Sequence, residues 1–310
     1  MARPPPPRPP ARGPPSAPGG STKEIRPMTS ADDWRGGLGA RWAERAVMQD
    51  RALSAFGAEA LAELAGIVGT HGLEGREVLD LGSGPGATTL GLARRGAKAT
   101  GLDISPDLVA LARARAAEAG PMAGAVDFEE ADAAEAPPPG PFGALFSRFG
   151  CMFFADPAPA WAGLRAVMRP GAPMVCVAWR GPGENDWVAR PLELCADLLA
   201  DLPAPPRAER GAPGPFGWAD PTLPVRWLTE AGWRSVAWRD VDAPLALAAP
   251  DSDDPAADAA EFLVRSGPVA ARLSEAPPER VEAVRARLRS LFEGAPPVLG
   301  GAARIFTAIA

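Results

Sequence analysis

Two rhythms of apolar residues alternate along most of this chain. Strand-length stretches recur at 76–81, 97–103, 125–132, 142–149 and 174–179, apolar in all but the third, where acids alternate with apolar residues. Between them, apolar residues fall at the three-to-four spacing of a helix with one buried face. The first such helix spans about 86–95, with Leu90 inward, Arg94 and Arg95 at the end that favours cations, and Gly96 as its stop. The second follows Ser105 and Pro106, a cap and a first-turn proline, and ends at Gly120-Pro121. Its buried stripe is Leu108, Leu111 and Ala112. A third, capped by Asp156 with Pro157 at its start, places Trp161, Leu164, Val167 and Met168 on one face. Strands joined by helices, with the Pro-rich loop 137–141 between the third and fourth, predict a doubly wound parallel sheet.

The two ends of the chain depart from this rhythm. Residues 31–69 read as helical throughout, with Trp34, Leu38 and Trp42 four apart. Past the fifth strand, helices are expected at about 186–200 and 221–231, and strands at 234–241 and 303–310. Residues 251–294 read as helical, capped by Asp251 or Ser252. The expected architecture is α/β: a doubly wound, mostly parallel, seven-stranded sheet in one domain over 30–310. Cap helices at 30–70 and helical inserts at 183–217 and 251–294 form a lid. Open α/β sheets bind ligands at the carboxyl ends of their strands.

The first turn of the sheet carries candidate chemistry. The stretch "VLDLGSGPGA" places Gly82, Ser83, Gly84 and Gly86 between an apolar strand and a helix. That layout binds nucleotides, and its spacing fits both a dinucleotide fingerprint and the turn that holds S-adenosylmethionine. Asp80 argues for the second. A pyrophosphate on the helix N-terminus would be repelled by an adjacent carboxylate, whereas S-adenosylmethionine carries an amino cation that a carboxylate accepts. Asp103, at the tip of the second strand, can accept two ribose hydroxyls, and Ile104 follows it. Asp132 ends the third strand, where it can accept from an adenine amino group, with the small Ala131 and Ala133 leaving room for the ring. Each acid has a plainer reading: Asp80 as a turn cap, Asp103 as a loop acid, Asp132 as part of a solvated acidic run.

Taken in order, "VLDLGSGPG", "GLDISPDLVALAR", "EEADA", "FSRFGCMFFADP" and "MRPGAPMVCVAW" resemble a class I S-adenosylmethionine-dependent methyltransferase. The likeness is to the small-molecule branch that includes ubiquinone and menaquinone C-methyltransferases, and it covers about 31–245. It implies a Rossmann-like methyltransferase fold, S-adenosylmethionine as cofactor and a small-molecule acceptor. "WRGGLGARW" is similar to the segment that closes over the cofactor in this branch, which implicates Trp34 and Trp42. Arg35 stands after the first tryptophan, where the branch more often has Asn.

Composition narrows the alternatives. The first 27 residues hold ten prolines, so 1–29 are expected to form a disordered tail. That tail carries about +4 and the remainder about −10, a balance that disfavours nucleic acid as partner. No apolar stretch approaches the roughly 18 residues needed to span a bilayer. Cys151, Cys176 and Cys195 are widely spaced, which fits reduced thiols in a cytoplasmic protein and no metal site. His71, the one histidine, precedes the first strand at the wrong end of the sheet for catalysis. Ser147, Arg148 and Phe149 are expected on the pocket floor, with Arg148 open to a cofactor carboxylate, an anionic acceptor group or a structural ion pair. The chain has nine Trp and eleven Phe, and an apolar wall of Phe149, Met152, Phe153, Trp34, Trp42 and Trp187 would favour an apolar or aromatic acceptor. The less favoured functions are an NAD(P)-dependent oxidoreductase and a non-catalytic cofactor-binding protein.

Overall fold

A computed structural model of the chain describes residues 30–69, 72–205 and 208–310. The expected tail and His71 lie outside these residues. The strands are β1 (Glu77–Leu81), β2 (Lys98–Asp103), β3 (Ala125–Glu130), β4 (Ala144–Arg148), β5 (Pro173–Trp179), β6 (Arg234–Ala246) and β7 (Val298–Ile309). They form one sheet in the order β3-β2-β1-β4-β5-β7-β6. The first five are parallel, with Leu79 opposite Thr100 and Leu145. β7 runs antiparallel to both neighbours, pairing Cys176 with Phe306 and Trp238 with the same Phe306. β5 is buried along its whole length, as expected of a strand covered on both faces.

Helices α5 (Ala87–Arg94), α6 (Pro106–Ala119) and α7 (Pro157–Ala166) make the crossovers. Ser105 caps α6 through its side chain. Asp156 occupies the cap position of α7 but its side chain makes no capping bond, contrary to expectation. The predicted helical stretch 31–69 is four pieces: α1 (Ala31–Arg35), α2 (Gly37–Glu44), α3 (Ala46–Ala52) and α4 (Ser54–Val68). The first break falls at Gly36-Gly37, where helix propensity is lowest. The helix expected at 186–200 is also split, into α8 (Asp186–Leu194) and α9 (Ala196–Leu199), followed by α10 (Thr222–Glu230). The second insert holds α11 (Pro255–Arg265), α12 (Gly267–Arg272) and α13 (Pro278–Ser290). Asp254, rather than Asp251 or Ser252, caps α11, accepting from the Ala257 N–H at 3.0 Å.

Both late strands are longer than their apolar patterns. β6 reaches Ala246 and β7 begins at Val298, where Gly300 and Gly301 gave no strand signal. Much of the core tryptophan lies away from any crevice. Trp161, Trp218 and Trp233 are essentially buried, and the Trp233 indole N–H donates to the Trp161 carbonyl at 3.0 Å. Among the described residues, no helix is long and apolar enough to cross a membrane.

Candidate cofactor site

The strand order reverses at β1, whose neighbours β2 and β4 lead their connections to opposite faces. The loops after β1 and β4 part there, at the position where such sheets take ligands. The three glycines of the first loop all have positive φ (64°, 54° and 85° at Gly82, Gly84 and Gly86), but they serve different ends. A Cβ on Gly82 would lie 2.7 Å from the Gly150 Cα, so the two loops touch backbone to backbone. A Cβ on Gly86 would meet the Phe128 ring at 2.8 Å. A Cβ on Gly84 would meet nothing within 4 Å, so the middle of the loop faces open space. Thus Gly86 makes room for Phe128, and Gly84 is the one whose missing side chain leaves a cradle. The N–H groups of Gly82 and Ser83 both donate to the Leu102 carbonyl, fixing the loop to the end of β2.

The acids at the strand tips are already engaged within the chain. Asp80 is fully buried, and its Oδ2 accepts from the hydroxyls of Thr88 and Thr89, each at 2.7 Å. Its Oδ1 has no partner, and neither has the buried Oγ of Ser83. Burial pushes the Asp80 carboxyl up to about 6, with the threonine bonds and the Arg148 guanidinium acting in the opposite sense. Asp103 accepts from the Gly84 N–H at 2.8 Å and the Ser105 N–H at 3.0 Å, and burial raises its carboxyl as well. Each of its oxygens keeps one lone pair for a further donor. Half-buried Ile104 and buried Ala133 flank this side.

Asp132 is not a free solvated acid. Its Oδ2 pairs with Arg35 at 3.1 Å and its Oδ1 accepts from the Ala134 N–H at 2.9 Å. Ser147 lies deeper than a pocket floor would require. It is buried, and its hydroxyl donates to the Leu81 carbonyl at 2.8 Å, tying β4 to β1. Arg148 forms an ion pair with Asp50 of α3 at 3.2 Å, and Asp50 also pairs with Arg115 at 2.7 Å. Arg115 in turn donates to the Pro85 carbonyl, so one carboxylate links α3 to the glycine loop. Nothing in the local sequence signals Asp50, which lies 65 and 98 residues from its two partners. Cys151, Cys176 and Cys195 are buried and unpaired.

Aromatic rings continue the site beyond β4. Phe149 has φ 62°, a strained value for a bulky residue, and stacks on Trp179 at 4.1 Å. From Trp179 the contacts run to Trp187 at 5.2 Å and then to Phe216 at 6.2 Å, joining the sheet to the first insert. On the other side Trp34 meets Trp42 at 5.7 Å and Phe153 at 5.2 Å. Met152 is buried, as are Phe149 and Trp179. Asn185 holds this ladder in place and was invisible to periodicity. It is fully buried, and its Oδ1 accepts from the Trp187 indole at 2.9 Å and the Ala302 N–H at 2.8 Å. Its amide donates to the carbonyls of Arg180 and Gly181. Asn185→Leu would orphan three of these groups, because the Gly181 carbonyl keeps the Glu184 N–H, at about 1–3 kcal/mol each if none finds water. Chemical denaturation should show a loss of at least about 3 kcal/mol; a loss under about 1 would mean that the knot is dispensable.

Residues 78–171 match a protein family described as "Methyltransferase domain". This stretch is a methyltransferase domain. Within it lie the glycine loop and Asp80, Asp103, Asp132 and Arg148. A demethylmenaquinone methyltransferase of Thermus thermophilus is 39% identical over 110 residues, 34% of this chain and 49% of that one. The chain thus spans about half the length of the curated relatives it matches. The fold extends past the methyltransferase domain. Magnesium protoporphyrin IX methyltransferase (ChlM) from Synechocystis, solved with bound S-adenosylhomocysteine, superposes with a TM-score of 0.52 at 15% identity, over 90% of this chain and 97% of that one. The [4+2]-cyclase SpnF gives 0.52 at 20% identity, over 91% and 97%. Both likenesses are of the fold, a Rossmann-like sheet with flanking helices.

Proposed function

We propose that the chain is an S-adenosylmethionine-dependent methyltransferase acting on a small apolar or aromatic molecule. The carrying observation is that the β1–α5 turn holds two unpartnered buried polar atoms, Asp80 Oδ1 and Ser83 Oγ, together with Gly84, whose Cβ position faces open space. Buried polar atoms are rarely left without a partner. A carboxylate oxygen and a hydroxyl suit the amino cation and carboxylate of an amino acid, and a phosphate-bearing dinucleotide offers nothing for Asp80.

In this reading Asp80 takes the amino group, Asp103 the ribose hydroxyls and Asp132 the adenine amino group. Backbone at Gly82, Ser83, Gly84 and Gly86 shapes the cradle, and Ile104 and Ala133 flank the purine. Arg148 lends positive charge near the carboxylate, with Ser147 holding its strand in register. Trp34 and Trp42 cover the site. S-adenosylmethionine supplies an activated methyl on a sulfonium, so the protein's part is to bring an acceptor into line with it. Positioning of this kind is worth roughly 7–11 kcal/mol. The Phe149, Trp179, Trp187 and Phe216 rings form an acceptor wall suited to flat apolar molecules. The acidic body turns away nucleic acid.

Calorimetry should show S-adenosylhomocysteine binding and no NADH binding. NADH binding alone would reverse the assignment, and binding of neither would remove it. Radiolabelled methyl from the donor should then appear on a member of an aromatic acceptor panel. Cofactor binding without transfer across a broad panel would point to a non-catalytic protein.

A further inference from the structure

We infer that the Arg35–Asp132 ion pair is a latch that sets how fast nucleoside ligands enter and leave the site; the inference rests on the cofactor reading above. Residues 31–44 lie across three strand tips at once. On the β2 side, a Cβ on Gly39 would fall 2.1 Å from the Ser105 Oγ and 2.4 Å from the Trp34 carbonyl, so α2 sits hard against the start of α6. On the β4 side, the Trp34 ring abuts Phe153. On the β3 side, Arg35 reaches Asp132 across 97 residues of sequence.

The first two contacts are steric and apolar. Arg35 supplies the charged tie, and Asp32 braces the same guanidinium at 3.2 Å. The Trp34 indole nitrogen is buried in this cap without a partner, so the packing there is not complete in itself. A nucleoside lying between Asp103 and Asp132 sits beneath these contacts and reaches solvent only when the cap lifts. Each oxygen of Asp132 accepts one donor and has a second lone pair. An adenine amino group and Arg35 are therefore compatible partners, and the latch closes again over bound ligand. The pair is part-exposed, 42% at Arg35 and 17% at Asp132, which suits a contact that opens repeatedly and responds to salt.

The test is stopped-flow tryptophan fluorescence with S-adenosylhomocysteine, repeated by surface plasmon resonance on the full chain. Arg35→Met keeps the apolar stem and removes the charge. Its association and dissociation rates should both rise by about threefold to fivefold, the scale of an exposed pair, while the dissociation constant moves less than either rate. Arg35→Lys should restore part of the slowing. In the unmodified chain, raising sodium chloride from about 50 to 500 mM should speed exchange, and in Arg35→Met it should not. Equal rates in Arg35→Met and the unmodified chain, or an equal salt response, would overturn the latch and leave the cofactor reading intact. Failure of the unmodified chain to bind S-adenosylhomocysteine would overturn the cofactor reading and the latch with it.

Discussion

Gly82→Ala is expected to unfold the site and cost the protein about 2–5 kcal/mol. Two penalties add. The residue sits at φ 64°, where a Cβ costs roughly 1–2 kcal/mol. That Cβ would also come within 2.7 Å of the Gly150 Cα, a backbone atom that cannot rotate aside. The contact is mutual, since a Cβ on Gly150 would lie 2.6 Å from the Leu81 carbonyl oxygen. Relief requires the loop after β4 to withdraw, and Phe149 moves with it off Trp179. S-adenosylhomocysteine binding should therefore disappear together with stability. Gly84→Ala is the internal control. It carries the backbone cost at φ 54° but has no neighbour to strike, so its stability loss should stay near 1–2 kcal/mol while ligand binding still falls. Denaturant melts and calorimetry on both variants separate the cases. Equal stability loss in the two would mean that the loop contact is not what holds the site together.

Asp80 and Asp103 were readable because each stands at the end of a strand-length apolar stretch next to a turn or helix start, and Asp132 was readable from its place at the end of the third strand-length segment, within an acidic run. Asp80, Asp103 and Asp132 accordingly lie near the ends of β1, β2 and β3. What surrounds them was not readable. Arg35, Asp50 and Arg115 come from helices far off in sequence, and no spacing rule relates a residue to one 97 positions away. Ser147 looked like a floor residue because it stands near a strand tip, but its side chain points between strands. Asn185 lies in a Pro- and Gly-rich stretch without period, so its four hydrogen bonds had no local sign. β6 and β7 were under-read because Pro244, Gly300 and Gly301 are poor strand formers, and their pairing with each other overrides that preference.

Asp80→Asn should raise stability and weaken ligand binding at once. Its folded carboxyl, at about 6, lies above the ordinary value of 3.8 because the charged form is buried. Below pH 4 the group is protonated in both folded and unfolded chains and costs nothing. As pH rises from about 4 to 6 the unfolded state loses its proton first, and the folded state loses stability relative to it. Above about pH 7 the penalty is complete, about 3 kcal/mol. Asn is the same shape, still meets the hydroxyls of Thr88 and Thr89, and carries no charge to desolvate. The Asn amide hydrogens would meet no partner where Oδ1 has none, which costs about 1–3 kcal/mol, so the variant should gain less than about 3 kcal/mol at pH 7, and its stability should lose most of its dependence on pH between 4 and 6. Binding runs the other way. A charged hydrogen bond to an amino cation is worth about 1.5–3 kcal/mol, so S-adenosylhomocysteine should bind roughly 10- to 100-fold more weakly. In the unmodified chain affinity should climb from pH 5 to 7 as Asp80 ionises, and in the variant that climb should vanish. A destabilised variant with unchanged affinity would make Asp80 a clasp for α5 alone, and the unpartnered Oδ1 would then have no ligand to explain it.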